Sequence, residues 1–246
     1  MSEFGIIGYG FVGQATHKGL LNYQSVVKHD VKYNTDVSTL KDCSIVFCCL
    51  PTDDFDDIQI LLHELSCLKK VNPLVSIILR STVPIGSCKL IEDTIRSPII
   101  YIPEFLRERF WEDDCLNRPI IIGNNSAKLP DFLESMENRK CSLEEAEILK
   151  MFSNNFAVLR IAYANIFYEV CENKSADYKL VKDLYHTVAN DQTYLDIPGP
   201  DNKRGFGGKC LPKDLDFLIE TLENMNIDSE IFNNIRNQNK IWVRKF

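Results

Sequence analysis

The run Gly8-Tyr-Gly10-Phe-Val-Gly13 narrows the fold more than any other feature of this chain. It follows a short apolar segment, Glu3 to Gly8, and opens a segment of helical character that continues to about Leu21. G-x-G-x-x-G between a strand and a helix is the phosphate turn of a dinucleotide-binding βαβ unit. Gly8 makes the tight turn, Gly10 lets the backbone reach a pyrophosphate, and Gly13 lets the helix pack on the strand. With Phe11 and Val12 these residues form the N-terminus of a helix, where phosphate oxygens are favoured. The next apolar run, Ser25-Val-Val-Lys-His-Asp30, ends in an acid about 20 residues after the first glycine. A carboxylate there binds a ribose diol and repels a 2′-phosphate, so the expected cofactor is NAD rather than NADP.

Further apolar runs rich in Val and Ile follow at Ser44–Leu50, Val75–Leu79, Ile99–Ile102 and Pro119–Ile122. Such runs suit parallel strands buried on both faces. Helical segments at Asp57–Lys70 and Pro84–Arg96 alternate with them, which predicts a doubly wound parallel α/β sheet of the Rossmann type. Polar or conformationally special residues follow the strand ends: Pro51-Thr52, Ser81-Thr82-Val83-Pro84 and Pro103-Glu104-Phe105-Leu106-Arg107-Glu108. Ligands bind at the carboxyl ends of strands in these sheets, so the segments point to one crevice, with Pro51, Thr52, Ser81 and Thr82 on the cofactor side. The plainer alternative is a set of ordinary turns and caps, Thr82 among them.

The second half reads as all-helical. Ser142-Leu-Glu-Glu145 is a capping box, and it opens a long helix to about Glu172. That helix is apolar on several faces, as expected of one buried in a domain or dimer core. Lys150, Asn154 and Asn165 interrupt it within an arc of about 60°. Burying a lysine and two amides is costly without partners, so this face is expected to line a cleft, the alternative being a solvated face. Three more helices are expected near Tyr178–Ala189, Leu211–Met225 and Ser229–Val243, with a Pro- and Gly-rich loop over Asp191–Gly208. The expected domains are residues 1–140, binding the dinucleotide, and 141–246, a helical dimerisation and catalytic domain.

The loop delivers Gly205-Phe-Gly-Gly-Lys-Cys-Leu-Pro-Lys-Asp214. Pro212 suits a first helical position, which puts Cys210 just before a helix N-terminus, where the dipole favours a thiolate. Lys209 and Lys213 act in the same direction, and Asp214 falls one turn further on. The pattern is that of an activated nucleophile beside a carboxylate; the plainer alternative is a turn with an incidental cysteine.

Bulk properties remove several function classes. A net charge of −7 without a basic cluster argues against nucleic acid as a partner. No apolar run is long enough to span a bilayer, and no secretory signal is visible at the N-terminus. Nine scattered cysteines, odd in number and without C-x-x-C pairs, suit a reducing cytoplasm with buried thiols and no metal site.

Together, Gly8–Gly13, Ser81-Thr-Val-Pro-Ile-Gly86, Pro103-Glu-Phe-Leu-Arg-Glu108, Glu147-Ile-Leu-Lys-Met-Phe-Ser-Asn154 and Gly205–Asp214 resemble the UDP-glucose/GDP-mannose 6-dehydrogenase family in order and spacing. The resemblance implies two NAD-dependent oxidations of a nucleotide-sugar primary alcohol, to an aldehyde and then a carboxylate, without a metal. It implies that Cys210 forms a thiohemiacetal and then a thioester, and that Lys150 and Asn154 stabilise the oxyanion. It also implies that Asp214 acts through a water with help from Thr82, that Glu108 assists thioester hydrolysis, and that Glu104 orders the cleft. Substrate contacts are implied for Phe105, Leu106, Arg107, Asn165, Phe206, Gly207 and Gly208, and a homodimer through the helical domain. The chain departs from the family in two places. It carries Asn165-Ile166 where Asn-Glu is expected, and it reaches Phe246 about where a second nucleotide-binding domain would begin. The expectation is a short form, with a dimer partner or separate chain as a source of the missing domain. The competing readings are a one-step hydroxyacid dehydrogenase of the 3-hydroxyisobutyrate/6-phosphogluconate type, which does not need the cysteine loop, and a non-catalytic NAD-binding protein.

Overall fold

The computed structural model describes residues 4–136, 138–188 and 196–243, with Phe55 described by its backbone only. The expected element ends at Glu3 and Ala189, and loop residues 191–195, lie outside the described residues. The chain divides into two compact units, Met1–Lys150 and Met151–Phe246.

The first unit is built on a seven-stranded sheet of order β2-β1-β3-β4-β5-β6-β7. Its strands are β1 (Phe4–Ile7), β2 (Val26–His29), β3 (Ile45–Cys48), β4 (Ser76–Leu79), β5 (Ile100–Tyr101), β6 (Ile120–Gly123) and β7 (Asn138–Cys141). Strands β2, β1, β3, β4 and β5 pair in parallel, as expected, whereas β5 and β6 meet antiparallel through Tyr101 and Gly123. Alternation along the strands feeds two cores. Ile7, Val46, Cys48, Ile77, Leu79 and Tyr101 face one side, and Phe4, Ile6, Ile45, Phe47, Ile78 and Ile100 face the other.

The first core is covered by α2 (Phe55–Val71) and α3 (Ser87–Ile95). A reciprocal capping box between Asp54 and Asp57 starts α2, and Lys69 and Lys70 close it, matching the helix dipole at both ends. On the other face, α1 (Phe11–Ala15) runs into a π-helical turn over Thr16–Leu20. Alongside lie α4 (Trp111–Asn117) and α5 (Asp131–Ser135), two short helices the sequence pattern did not signal.

The long helix α6 (Leu143–Lys174) begins as expected: Glu145 accepts from Ser142 N at 2.8 Å, and its own N donates to Ser142 Oγ at 3.2 Å. The units divide at Lys150, later than the expected boundary near 140. The reason is that Leu143 and Ala146 belong to the first sheet core. The second unit holds the rest of α6 with α7 (Tyr178–Val188), α8 (Cys210–Asn224) and α9 (Glu230–Trp242). Its core joins Val158 of α6 to Phe206, Leu215 and Ile219, with Phe232 and Ile235 packed against them.

Candidate active site

In the first unit the strand order reverses at β1, with β2 on one side and β3 on the other, which is the switch point where such sheets bind ligands. The glycine turn leaves β1 there. Gly8 has φ +80°, and a Cβ on it would sit 2.6 Å from Cys49 O. A Cβ on Gly13 would come within 2.2 Å of Gly8 O, so the helix and strand touch through this residue. A Cβ on Gly10 would meet nothing within 4 Å. Gly10 is also the N-cap of α1 and brings no side chain to the first-turn N–H groups. Asp30, at the end of β2, accepts from Tyr9 N at 2.6 Å and from Lys32 N at 2.8 Å, and stays partly exposed beside the turn. Open space at Gly10 next to a fixed carboxylate fits a pyrophosphate followed by a ribose diol. Thr52 Oγ1 donates to Thr82 O at 2.6 Å and Ser81 Oγ to Leu50 O at 2.8 Å, tying the ends of β3 and β4 together.

These glycines separate folding from binding. Gly13→Ala should destabilise the chain by about 1–3 kcal/mol, because backbone must move. Gly10→Ala should leave the melting temperature near that of the parent and weaken dinucleotide binding, since its methyl enters the open space. Thermal melts and NADH fluorescence titration of both variants check this; equal melting losses in the two would refute it.

The loop after β5 carries Glu104, which is buried. Lys150 Nζ donates to Glu104 O at 2.6 Å and to Glu104 Oε1 at 3.0 Å, and Leu106 N donates to Glu104 Oε2 at 2.7 Å. Burial alone pushes this carboxyl up, but the Lys150 charge, the Leu106 N–H and the buried Arg80 outweigh it and hold it below its ordinary value. Lys150 Nζ also lies 5.5 Å from the Phe105 ring centre. An ammonium has three N–H donors, so one is left beyond the two directed at Glu104. Arg107 was expected at the substrate. Its guanidinium instead forks onto Asp114, with Nε at 3.0 Å and NH2 at 2.8 Å, and its backbone N donates there at 2.8 Å. The Arg107 side-chain bonds, with this backbone N–H and the Arg118 and Arg107 charges, bring the Asp114 carboxyl down to about 2 despite partial desolvation. Glu108 is exposed at the end of this loop.

In the second unit, α8 starts at Cys210 itself, not one residue later. Pro212 therefore sits inside the first turn, where its missing N–H is still harmless. Cys210 is half-buried, and Asp214 follows it by one turn and is fully buried. Asn154 Nδ2 donates to Asp214 Oδ2, and Asn155 Nδ2 donates to Asp214 O at 3.2 Å. Among the described residues Asp214 Oδ1 accepts no hydrogen bond, and it forms a 3.5 Å ion pair with Lys213 Nζ. A buried carboxylate oxygen that meets a cation but no hydrogen-bond donor still has room to accept from a bound water or substrate hydroxyl. Gly207 and Gly208 border open space, Gly208 at φ +76°. Phe206 and Asn165, expected at the substrate, have side chains committed within the protein: Phe206 to the helical core, Asn165 to the loop backbone.

Lys150 and Asn154 lie one turn apart on α6, as their spacing implied. Four buried charged residues carry no local sequence signal: Arg80, Asp114, Glu147 and Arg204. Glu147 accepts from Gly86 N at 2.8 Å and Cys88 N at 2.6 Å, stapling the Ser81–Gly86 turn to α6. Glu147 opens the Glu147–Asn154 segment, yet nothing in its spacing marks it as a cap for another helix.

Residues 144–241 match the sequence profile of the UDP-glucose/GDP-mannose dehydrogenase family, central domain. A UDP-glucose 6-dehydrogenase of Rickettsia typhi is 31% identical over 192 residues, covering 70% of this chain. Residues 144–241 thus carry the central domain of the UDP-glucose/GDP-mannose dehydrogenase family. The match covers 42% of the Rickettsia relative, so the chain spans less than half of that protein's length. A UDP-glucose dehydrogenase structure from the archaeon Pyrobaculum islandicum superposes with TM-score 0.85 at 20% identity, over 98% of this chain and 68% of that one. A 3-hydroxyisobutyrate dehydrogenase from Salmonella typhimurium shares the fold at TM-score 0.67 and 11% identity, over 95% of this chain and 91% of that one. Ile166, where the resemblance led to the expectation of Glu, is exposed on α6. Among the described residues no group of three or more His, Cys, Asp or Glu stands together as a metal site. No described helix is long and apolar enough to cross a membrane.

Proposed function

We propose that this chain is the NAD-binding and central part of a nucleotide-sugar 6-dehydrogenase, with UDP-glucose as substrate and UDP-glucuronate as product. One observation carries the reading: a cysteine opens α8, and a buried carboxylate one turn on is held by Asn154, while its other oxygen accepts no hydrogen bond from the described residues. A one-step hydroxyacid dehydrogenase shares the fold but has no use for this arrangement.

Gly8, Gly10, Phe11, Val12, Gly13 and Asp30 would hold the dinucleotide, with Pro51, Thr52, Ser81 and Thr82 beside it. NAD, when bound, accepts one hydride in each of two oxidations. In the first, the sugar C6 alcohol loses its hydroxyl proton through a water on Asp214, assisted by Thr82, and becomes an aldehyde. The Cys210 thiolate then adds to that carbonyl, forming the S–C bond of a thiohemiacetal, whose oxyanion takes hydrogen bonds from Lys150 and Asn154. Loss of the second hydride leaves a thioester on Cys210. Water, assisted by Glu108, displaces the thiolate and yields the carboxylate. The sum is one alcohol, two NAD⁺ and one water giving one carboxylate, two NADH and three protons. Glu104 orders the loop that carries Phe105, Leu106 and Arg107.

A homodimer through the helical unit is part of the proposal. Phe152, Phe156, Tyr163, Phe167 and Val170 of α6 stand exposed, Phe152 at 68%. An apolar face of this size on one helix calls for a cover, and a second copy is the cover proposed. Size-exclusion chromatography with light scattering should give twice the 28.3 kDa chain mass; a monomer at micromolar concentration would end that part.

The function is tested by following NADH at 340 nm with UDP-glucose and identifying the product by mass spectrometry. The expected result is two NADH per UDP-glucuronate. One NADH per product would favour the one-step reading. NAD binding without turnover of any sugar nucleotide would favour the non-catalytic one.

A further inference from the structure

A buried arginine is costly unless its charge and all its donors are met, so its surroundings indicate what it holds. Arg204 is 4% exposed and meets one face of α6. Its NH2 is 3.0 Å from Glu169 Oε1 and its NH1 is 3.6 Å from Glu172 Oε2. Nε donates to Asn165 Oδ1 and NH2 to Asn165 O, both at 3.4 Å, and the guanidinium lies 4.8 Å from the Tyr168 ring centre. The same Asn165 Oδ1 accepts from Gly205 N at 3.1 Å. From the other side, Asn239 of α9 accepts from Phe206 N and donates to Phe206 O, both at 2.8 Å. Gly205, at φ +76°, is pressed so close that a Cβ would sit 2.3 Å from Asn239 Oδ1.

Residues 204–206 are thus gripped between α6 and α9, while Gly207 and Gly208 next to them border open space. A Cβ on either glycine would meet no described atom within 4 Å, and glycine has the widest choice of backbone path. Their position, and that of the cysteine two residues later, follows from where the chain is held on either side. We propose that Arg204 is a positioning residue for Cys210, acting through Asn165 to set the loop that delivers the thiol; this rests on the two-step oxidation proposed above. The planar fork is the point. A lysine keeps the charge but cannot reach two carboxylates and an amide oxygen together.

The test compares the full chain with Arg204→Lys and Asn239→Ala, which loosen the grip from opposite sides. Hydrogen exchange read by mass spectrometry needs no turnover. Peptides spanning 203–210 should exchange about tenfold faster in both variants, with the sheet peptides unchanged. With UDP-glucose and NAD, a misplaced thiol lets aldehyde escape before capture. The aldehyde trapped per carboxylate should rise about tenfold, and KM for NAD should stay within about twofold. Unchanged exchange in both variants, or faster exchange with two NADH per product and no trapped aldehyde, would overturn the role. If the parent protein oxidises no sugar nucleotide, the reaction proposed above fails, and the exchange arm alone decides whether Arg204 sets this loop.

Discussion

Cys210→Ser should stop carboxylate formation while leaving the fold and the dinucleotide site intact. The residue is half-buried at the first position of α8 and belongs to no core, so replacing sulfur with oxygen removes little packing. What changes is the nucleophile. A serine hydroxyl remains protonated at neutral pH and has no imidazole beside it in this loop, whereas a thiol at a helix start is readily ionised. In the proposed reaction the first oxidation uses no covalent acceptor, so the variant should still form aldehyde and one NADH. The proposed second oxidation passes through an adduct on Cys210, so carboxylate output should fall by about 10³-fold or more. Product identity by mass spectrometry and NADH counted per sugar consumed check both halves. A carboxylate rate equal to the parent's would remove Cys210 from the mechanism.

Much of the frame was legible because it rests on short-range rules. The buried strands announced themselves as Val- and Ile-rich runs, and the glycine turn by its spacing against β1 and Asp30. The helix beginning at Leu143 was marked by a capping box whose two partners are three residues apart. β7 was not legible: Asn138-Arg-Lys-Cys is a polar edge strand, and its pairing with β6 owes nothing to an apolar pattern. The site divides the same way. Lys150 and Asn154 were visible as polar breaks in an apolar helix, since an interruption of the pattern is itself a local signal. Their partners were not. Glu104 is 46 residues from Lys150 and Asp214 is 60 from Asn154, and no periodicity encodes such pairings. For the same reason neither the Arg107 fork on Asp114 nor the Arg204 contacts with α6 had a local signal.

Lys150→Met should strongly destabilise the first unit. Lys150 and Glu104 are 2% and 5% exposed, and each is the other's counter-charge. Removing the ammonium leaves a carboxylate that burial pushes up, still supported by the Leu106 N–H and the Arg80 charge. Breaking one side of a buried pair costs about 3–5 kcal/mol, whereas neutralising both sides often costs far less. Lys150→Met with Glu104→Gln should therefore recover much of the loss, although neither protein should form carboxylate. The pH dependence follows from the sign of the Glu104 shift. In the parent its folded value is lowered, so the pair stabilises the protein above the ordinary carboxylate range and loses that contribution as pH falls through the folded value. In Lys150→Met the cause of the lowering is gone, and protonating Glu104 relieves the buried charge. The gap between parent and variant should then narrow as pH falls from 7 towards 4. Urea unfolding at pH 7 and at pH 5, followed by circular dichroism for the parent, the single and the double variant, measures it. A single variant as stable as the double at pH 7 would mean that Glu104 does not depend on Lys150 for its charge.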